Sequence, residues 1–254
     1  MAGNGPLEDP IAEAERIASA ASAAHIGIKL MGGAGIHLHS ASAHRAPLKR
    51  KYGDLDYAIR KRDRSAVLAF FPSLGYEANE RFNLMQGDRR LYFFDNDHGR
   101  QVDVFIDSIR MSHVIDLRGR LDHEGPCASP SDLLLSKLQI YEVNRKDLVD
   151  LTALLLDHPV APHNDEAIDA EYIARLTAED WGFYRTMQVN IEKLDGTLDE
   201  LDVDRGLVRS RLAEIRKAIE AQAKPLKWRL RAQVGDRVRW YELPEEVRSP
   251  YQPE

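Results

Sequence analysis

At 254 residues the chain has room for one large domain or two small ones. With 43% of its residues hydrophobic it can bury an ordinary core, and a net charge of −6 excludes a strongly basic nucleic-acid binder while leaving room for a local basic patch. Its single cysteine, Cys127, excludes an intrachain disulfide and fits a reducing cytoplasm, and no run approaches the ~18 apolar residues of a membrane helix. The start, Met1-Ala2-Gly3-Asn4-Gly5-Pro6 and then acidic residues, has neither the basic nor the apolar region of a signal peptide, so no membrane association and a cytoplasmic location are expected.

Pro10 to Ala24 is alanine-rich and reads as a helix, with Asp9 as its N-cap and Pro10 in the first turn. Ile26 to Met31 reads as the first strand, closed by Gly32-Gly33-Ala34-Gly35, with a helix from Ala34 to Ala43. His37 and His39, two apart on that helix, do not share a face, which points to packing or surface positions instead of metal ligation. Arg45, Lys49, Arg50 and Lys51 form a basic loop, either solvated or in contact with an anion. Asp54 to Ile59 reads as the second strand. Arg64 to Leu74 reads as a helix whose Val67, Leu68, Phe70 and Phe71 belong to the core. Phe82 to Met85 and Leu91 to Phe94 read as strands, and Asn96-Asp97-His98-Gly99 is a turn into the alternating run Gln101-Val102-Asp103-Val104-Phe105-Ile106-Asp107. Val114 to Leu117 fits an edge strand.

Gly125, Pro126 and Pro130 mark a domain boundary. A long helical region follows, capped by Ser129 or Ser131, in which Leu133, Leu134, Leu138, Tyr141, Leu148, Leu151 and Leu155 recur at helical spacing and Lys137, Tyr141 and Asn144 share a face. Lys137 is either an exposed helix lysine or a phosphate contact. After Pro159 and Pro162 a helix spans Asp165 to Leu176, and Thr177-Ala178-Glu179-Asp180 begins another, with Trp181, Phe183 and Tyr184 as packing residues. A last helix covers Gly206 to Ala223, and Pro225 ends it. Lys227, Arg229, Arg231, Arg237 and Arg239, interleaved with Trp228, Trp240 and Tyr241, could track a nucleic-acid strand or form an ordinary amphipathic element. The expected class is α+β: a small mixed sheet over residues 1–125, an α-helical region over 126–223 and a basic aromatic tail over 224–254.

The chemistry concentrates in Leu30 to Ile59. Side chains alternate along a strand, so Asp54 and Asp56 point to one face, where a divalent cation would relieve their repulsion. Oxygen donors suit Mg²⁺, with Mn²⁺ as a possible substitute, and such an ion is normally shared with substrate phosphates. Asp103, flanked by valines, is the candidate third carboxylate of a two-metal site, with Asp107 as the fallback. Gly32 and Gly33 would let backbone N–H groups approach phosphate oxygens without an intervening Cβ.

In these residues the chain resembles the nucleotidyltransferase superfamily of the polymerase-beta-like fold, and most nearly its AbiEii-type branch. The layout is Gly32-Gly33, His37, Arg50 or Lys51, and Asp54-x-Asp56, followed by Lys137 and then Lys146-Asp147-Leu148-Val149-Asp150-Leu151. The resemblance covers roughly the first 157 residues. It departs at Ala34, where a serine hydroxyl would otherwise meet phosphate. It implies Gly32 and Gly33 at the triphosphate, Asp54, Asp56 and Asp103 as catalytic metal ligands, Arg50 or Lys51 and Lys137 near the phosphates, and Asp147 as a helical polar contact. The activity it implies is Mg²⁺-dependent transfer of an NMP from an NTP to an acceptor hydroxyl on tRNA, protein or a small molecule, and a toxin role with a cognate antitoxin. A rival expectation is a non-catalytic domain of the same fold that binds a nucleotide or partner.

Overall fold

The computed structural model describes residues 5–243. Five strands form one mixed sheet: β1 (Ile28–Leu30), β2 (Leu55–Ile59), β3 (Glu77–Ala78), β4 (Arg90–Asp95) and β5 (Arg100–Ile106), in the order β1-β2-β5-β4-β3. The central pair β2 and β5 is parallel and the other neighbours are antiparallel. Before and between these strands lie helices α1 (Pro10–Ala23), α2 (Gly32–His39), α3 (Arg64–Ser73) and α4 (Glu80–Gln86). Strands β6 (Ser108–Arg110) and β7 (Val114–Asp116) pair as a separate ribbon. The rest is helical: α5 (Pro130–Leu138), α6 (Arg145–Asp157), α7 (Ala170–Glu179), α8 (Trp181–Leu198), α9 (Arg205–Ala221) and α10 (Leu226–Val234). The α+β class, a small mixed sheet followed by a helical region, is thus what the chain adopts. Among the described residues no helix is long and apolar enough to cross a membrane.

The period-2 pattern of the central strands decides what each sheet face meets. Leu55, Tyr57 and Ile59 of β2 and Val102, Val104 and Ile106 of β5 join Ile17 of α1 and Val67 and Phe71 of α3 in one buried cluster. The opposite face carries Asp56 and Ala58 of β2 and Asp103 and Phe105 of β5. Ala58 and Phe105 join a second cluster that runs on through Leu133, Leu134, Leu151 and Ile173 to Ile215. The two aspartates therefore stand on the face where sheet and helices close on each other. The breaker segment after Gly125 lies along the sheet edge: Leu30 N–H donates to Pro126 O at 2.8 Å, and Ala128 N–H to Leu30 O at 2.9 Å.

Several local features differ from the sequence reading. Phe82 to Met85 is helical: the Asn79 side chain accepts from Phe82 N–H, capping α4, and the alternation of Phe82 and Leu84 about Asn83 comes from a short helix that leaves Leu84 88% exposed. Helix α2 begins at Gly32 itself, because the left-handed φ of +60° at that glycine turns the chain out of β1 two residues early. Helix α5 ends at Leu138, so Tyr141 and Asn144 do not continue a face with Lys137; Asn144 caps α6 in a capping box with Asp147. Ser129 is the α5 cap, and Asp180 caps α8. The tail aromatics pack on the helices: Trp228 Nε1 donates to Thr177 O, Trp240 Nε1 to Thr186 Oγ1, and Tyr241 stacks on Tyr141 with ring centres 3.7 Å apart. Residues 244–254 of the tail lie outside the described residues.

Candidate active site

The register of the parallel pair sets Asp56 of β2 directly beside Asp103 of β5. Asp54 lies one residue before β2 and is exposed. The glycine turn is tied to the same strand, since Met31 N–H donates to Asp56 O at 2.7 Å. A Cβ on Gly32 would sit inside the contact radius of Asp56 Oδ2 and 3.0 Å from its Cγ, so the backbone at the start of α2 touches that carboxylate directly. Burial, then the charges of Asp54 and Asp103, push the Asp56 carboxyl up to about 7, and Lys137 and Arg90 offset only part of this. Burial also raises Asp103, against the hydrogen bond from Arg90 Nε to its Oδ1 at 2.5 Å.

A second charged group lies on the other side of the turn. Arg50 makes a two-pronged ion pair with Asp150, Nε to Oδ1 at 2.7 Å and Nη2 to Oδ2 at 2.5 Å, and its guanidinium lies over the Tyr52 ring at 4.1 Å. A Cβ on Gly33 would strike Arg50 Nη2, so this glycine allows the arginine to lie against the helix start. Lys137 Nζ donates to Asp147 Oδ1 at 2.7 Å and lies 3.4 Å from Asp150 Oδ2. Burial works against the lysine's charge, but Asp147, Asp150 and the more distant Asp56 outweigh it and raise its pKa. Burial and the nearby Asp150 push the Tyr52 hydroxyl up to about 12.

Gly32, Asp56 and Lys137 line one small cavity of about 70 Å³, with Phe105, Met111 and Ser136 among its walls. The structure thus gathers Gly32, Gly33, Asp56, Asp103, Lys137, Arg50 and Asp147 around the start of α2, with Asp54 at the rim. Lys51 is exposed and lines a different cavity, together with His37, His44 and Tyr52. His37 packs on His44 at 4.2 Å, and His39 meets His158 at 5.4 Å. Asp107 has φ +59° and accepts from Lys61 N–H, which makes it a turn residue next to β5. Sequence reasoning gave no role to two residues that hold the site, Arg90 and Asp150. Asp150 was visible in Asp147-Leu148-Val149-Asp150, which puts both carboxylates on one helix face. Arg90 had no such signal, because its link to Asp103 depends on strand register.

Among the described residues no group of three or more His, Cys, Asp or Glu side chains is placed to hold a metal ion. The physical reason is visible in the contacts: Arg90 occupies an oxygen of Asp103, and Asp54 stands out in solvent. The donor chemistry nonetheless fits a hard divalent cation, since Asp54, Asp56 and Asp103 offer carboxylate oxygens alone, and Asp56 and Asp103 are pushed up by burial and by the carboxylates beside them.

No family model matches the chain, and no curated protein matches it. Among solved structures it is similar to the solution structure of the antibiotic-resistance factor ANT(2'')-Ia, with a TM-score of 0.40 and 14% identity over 57% of this chain and 82% of that one. A likeness of that size bears no weight for function.

Proposed function

We propose that this chain is a Mg²⁺-dependent nucleotidyltransferase of the polymerase-beta-like type, moving an NMP from an NTP to an acceptor hydroxyl. The observation that supports it most is the pairing of Asp56 and Asp103 on adjacent parallel strands, with the Gly32 backbone pressed against the Asp56 carboxylate. The N–H groups at the start of α2 would hold the triphosphate, and Lys137 would supply positive charge on the same side. The acceptor oxygen forms a bond to the α-phosphorus, the bridging α–β phosphate bond breaks, and pyrophosphate leaves with the electron pair. The acceptor proton passes to the Asp103 carboxylate. Asp54, Asp56 and Asp103 would hold Mg²⁺, or Mn²⁺ in its place, which when bound supplies neutralisation of phosphoryl charge. In this reading residues 1–125 carry the carboxylates and glycines, residues 126–223 contribute Lys137, Asp147 and Asp150, and residues 224–254 are a tail whose described part packs on the helices. Membership of the AbiEii-type branch, a toxin role with a cognate antitoxin, and a cytoplasmic setting belong to the same proposal and rest on the motif order and the single cysteine.

The hydrogen bond from Arg90 to Asp103 favours a second reading, a domain that binds a nucleotide without turnover. A transfer assay separates the two. Purified protein, Mg²⁺ and each α-labelled NTP are incubated with cell extract containing RNA, protein and small molecules. Label transferred by the wild type but not by the Asp54→Asn, Asp56→Asn double variant supports the enzyme. NTP binding that is indifferent to both substitutions, with no transfer, supports the binding domain.

A further inference from the structure

Strand β1 is the run Ile28-Lys29-Leu30, with a lysine between two apolar residues. Ile28 and Leu30 join the cluster formed with α1 and α3, so strand alternation sends Lys29 to the other face, beside Ala58 of β2. The lysine is buried there, 7% exposed. Its Nζ donates to His123 O and to Gly125 O, each at 2.5 Å. Among the described residues no carboxylate pairs with it. Burial lowers its pKa, Cys127 offsets part of this, and the like charge of Arg60 adds to it. Burial acts the other way on the Cys127 thiol, pushing it up to about 12, so of the two neighbouring nucleophiles the amine is the more available. Lys29 also lines a cavity of about 740 Å³ between the C-terminal end of α1 and residues 121–126, with Ser19, Ser22 and His123 on its walls. His123 Nδ1 lies 2.8 Å from Glu124 O and so carries the ring proton, which leaves Nε2 as an acceptor; that atom is buried and has no partner.

We infer that Lys29 is an acylation site, a nucleophilic amine that takes a small acyl group from an activated donor, either an acyl phosphate or a thioester. The count of donors and acceptors carries this. A neutral amine has two N–H groups and one lone pair; the two carbonyls take both N–H groups, and the lone pair is left for an electrophile. An ammonium would bring a third N–H with no acceptor among the described residues, on a side chain already stripped of most of its water. In the reaction the Nζ lone pair attacks the donor's carbonyl carbon and a C–N bond forms. The bond from that carbon to the phosphate oxygen or to sulfur breaks, and the leaving group departs with the electron pair. The proton that Nζ sheds goes to His123 Nε2. The amide that results has one N–H for two carbonyls, so either His123 O or Gly125 O loses its donor. These carbonyls belong to the segment that Leu30 holds along β1 through Pro126 O and Ala128 N–H. Acylation therefore loosens a clasp anchored two residues before Gly32. The inference does not depend on the transferase reading above.

The test incubates the full chain with acetyl phosphate and, separately, with acetyl-coenzyme A at neutral pH, and follows each modified position in time by peptide mass spectrometry. Lys29 should acylate about tenfold or more faster than the exposed Lys61 and Lys146 with at least one donor. The arm in which that preference is seen identifies the donor class. In denaturing urea the three lysines should react alike, because the preference comes from the folded surroundings. Lys29→Arg should abolish the fast site, and His123→Gln should slow it about threefold or more. Protein acylated at Lys29 should unfold about 2–4 °C lower than untreated protein, the shift expected for one lost buried hydrogen bond, and Lys29→Arg protein treated in the same way should show no such drop. Labelling of Lys29 no faster than of Lys61 and Lys146 with both donors overturns the inference and leaves the amine as a structural clasp alone. A preference that survives in urea overturns it as well, since it would then come from the local sequence and not from the cavity.

Discussion

Replacing Asp56 with asparagine should stabilise the protein at neutral and alkaline pH while abolishing transfer. The folded state raises this carboxyl from 3.8 to about 7, through burial first and the charges of Asp54 and Asp103 second. A group held this way favours the folded state fully below its unfolded value near pH 4, and that contribution is lost as pH rises to about 7. Above pH 7 the ionised carboxylate costs on the order of 4 kcal/mol, an upper bound because water reaches part of the side chain. Asparagine has nearly the same shape and no charge. The stability difference between variant and wild type should therefore start near zero at about pH 4, grow through pH 7 and level off, reaching about 2–4 kcal/mol. In a chain of this size that is roughly 5–15 °C in melting temperature. Urea titrations at several pH values between ~5 and ~8 read it directly. Mg²⁺ should narrow the gap by stabilising the wild type alone. A difference that stays flat with pH, or a variant less stable than the wild type at pH 8, would refute the account of Asp56 as a crowded, largely buried carboxylate.

Gly32→Ala should cost about 2 kcal/mol or more in urea unfolding, since φ is +60° and the new methyl group would strike Asp56, and NTP binding measured by calorimetry should be lost with it. Asp150→Ala should cost about 3–5 kcal/mol because it strands the largely buried Arg50 guanidinium, while Lys137 keeps Asp147; a loss below about 1 kcal/mol would show that the Arg50–Asp150 pair is no more than a surface contact. Arg90→Met removes the group that holds the Asp103 carboxyl down against its burial, so the acid limb of the pH–rate profile should move to higher pH; an unmoved limb would exclude Asp103 as the proton acceptor. Trp240→Ala gives up the bond to Thr186 and the edge contact with Trp181, and should cost about 2 kcal/mol in thermal unfolding while leaving NTP affinity unchanged.

Local periodicity carries far in this chain and then stops for a definable reason. The two-residue alternation is enough to put Asp56 and Asp103 on one sheet face, because Leu55, Tyr57, Val102 and Val104 must all be buried on the other. It fails at Phe82 to Met85, where a seven-residue helix is too short to show a helical period and the cap at Asn79 carries the signal instead. Nor could it reveal what neutralises the carboxylates. Arg50 finds Asp150 across 100 residues of sequence, and Arg90 finds Asp103 only through the antiparallel register of β4 with β5. Such links depend on tertiary placement, to which a linear pattern is blind. The breaker-rich stretch near Pro126 illustrates the same limit: proline and glycine mark irregular backbone, but not that this backbone binds the edge of β1.

The contacts that pattern reading misses also define the electrostatic problem the site has to solve. Around the start of α2 the structure gathers five carboxylates, those of Asp54, Asp56, Asp103, Asp147 and Asp150, against three cations, Arg50, Arg90 and Lys137. Asp147 and Asp150 are matched by Lys137 and Arg50, so that half is self-contained and rigid. The excess of two negative charges falls on the sheet side, where Arg90 bonds Asp103 and its charge also reaches Asp56. That imbalance adds to burial, the larger cause, in pushing the Asp56 carboxyl up to about 7. An NTP adds further negative charge at the same place, so it cannot enter unaccompanied without deepening the repulsion. A divalent cation arriving with the nucleotide offsets both, and its affinity should accordingly be higher for the protein–NTP complex than for the protein alone. Calorimetric titration of Mg²⁺ into the protein, with and without a non-hydrolysable NTP, measures that coupling; equal affinities in the two titrations would mean that the excess charge on β2 and β5 serves something other than a metal–nucleotide complex.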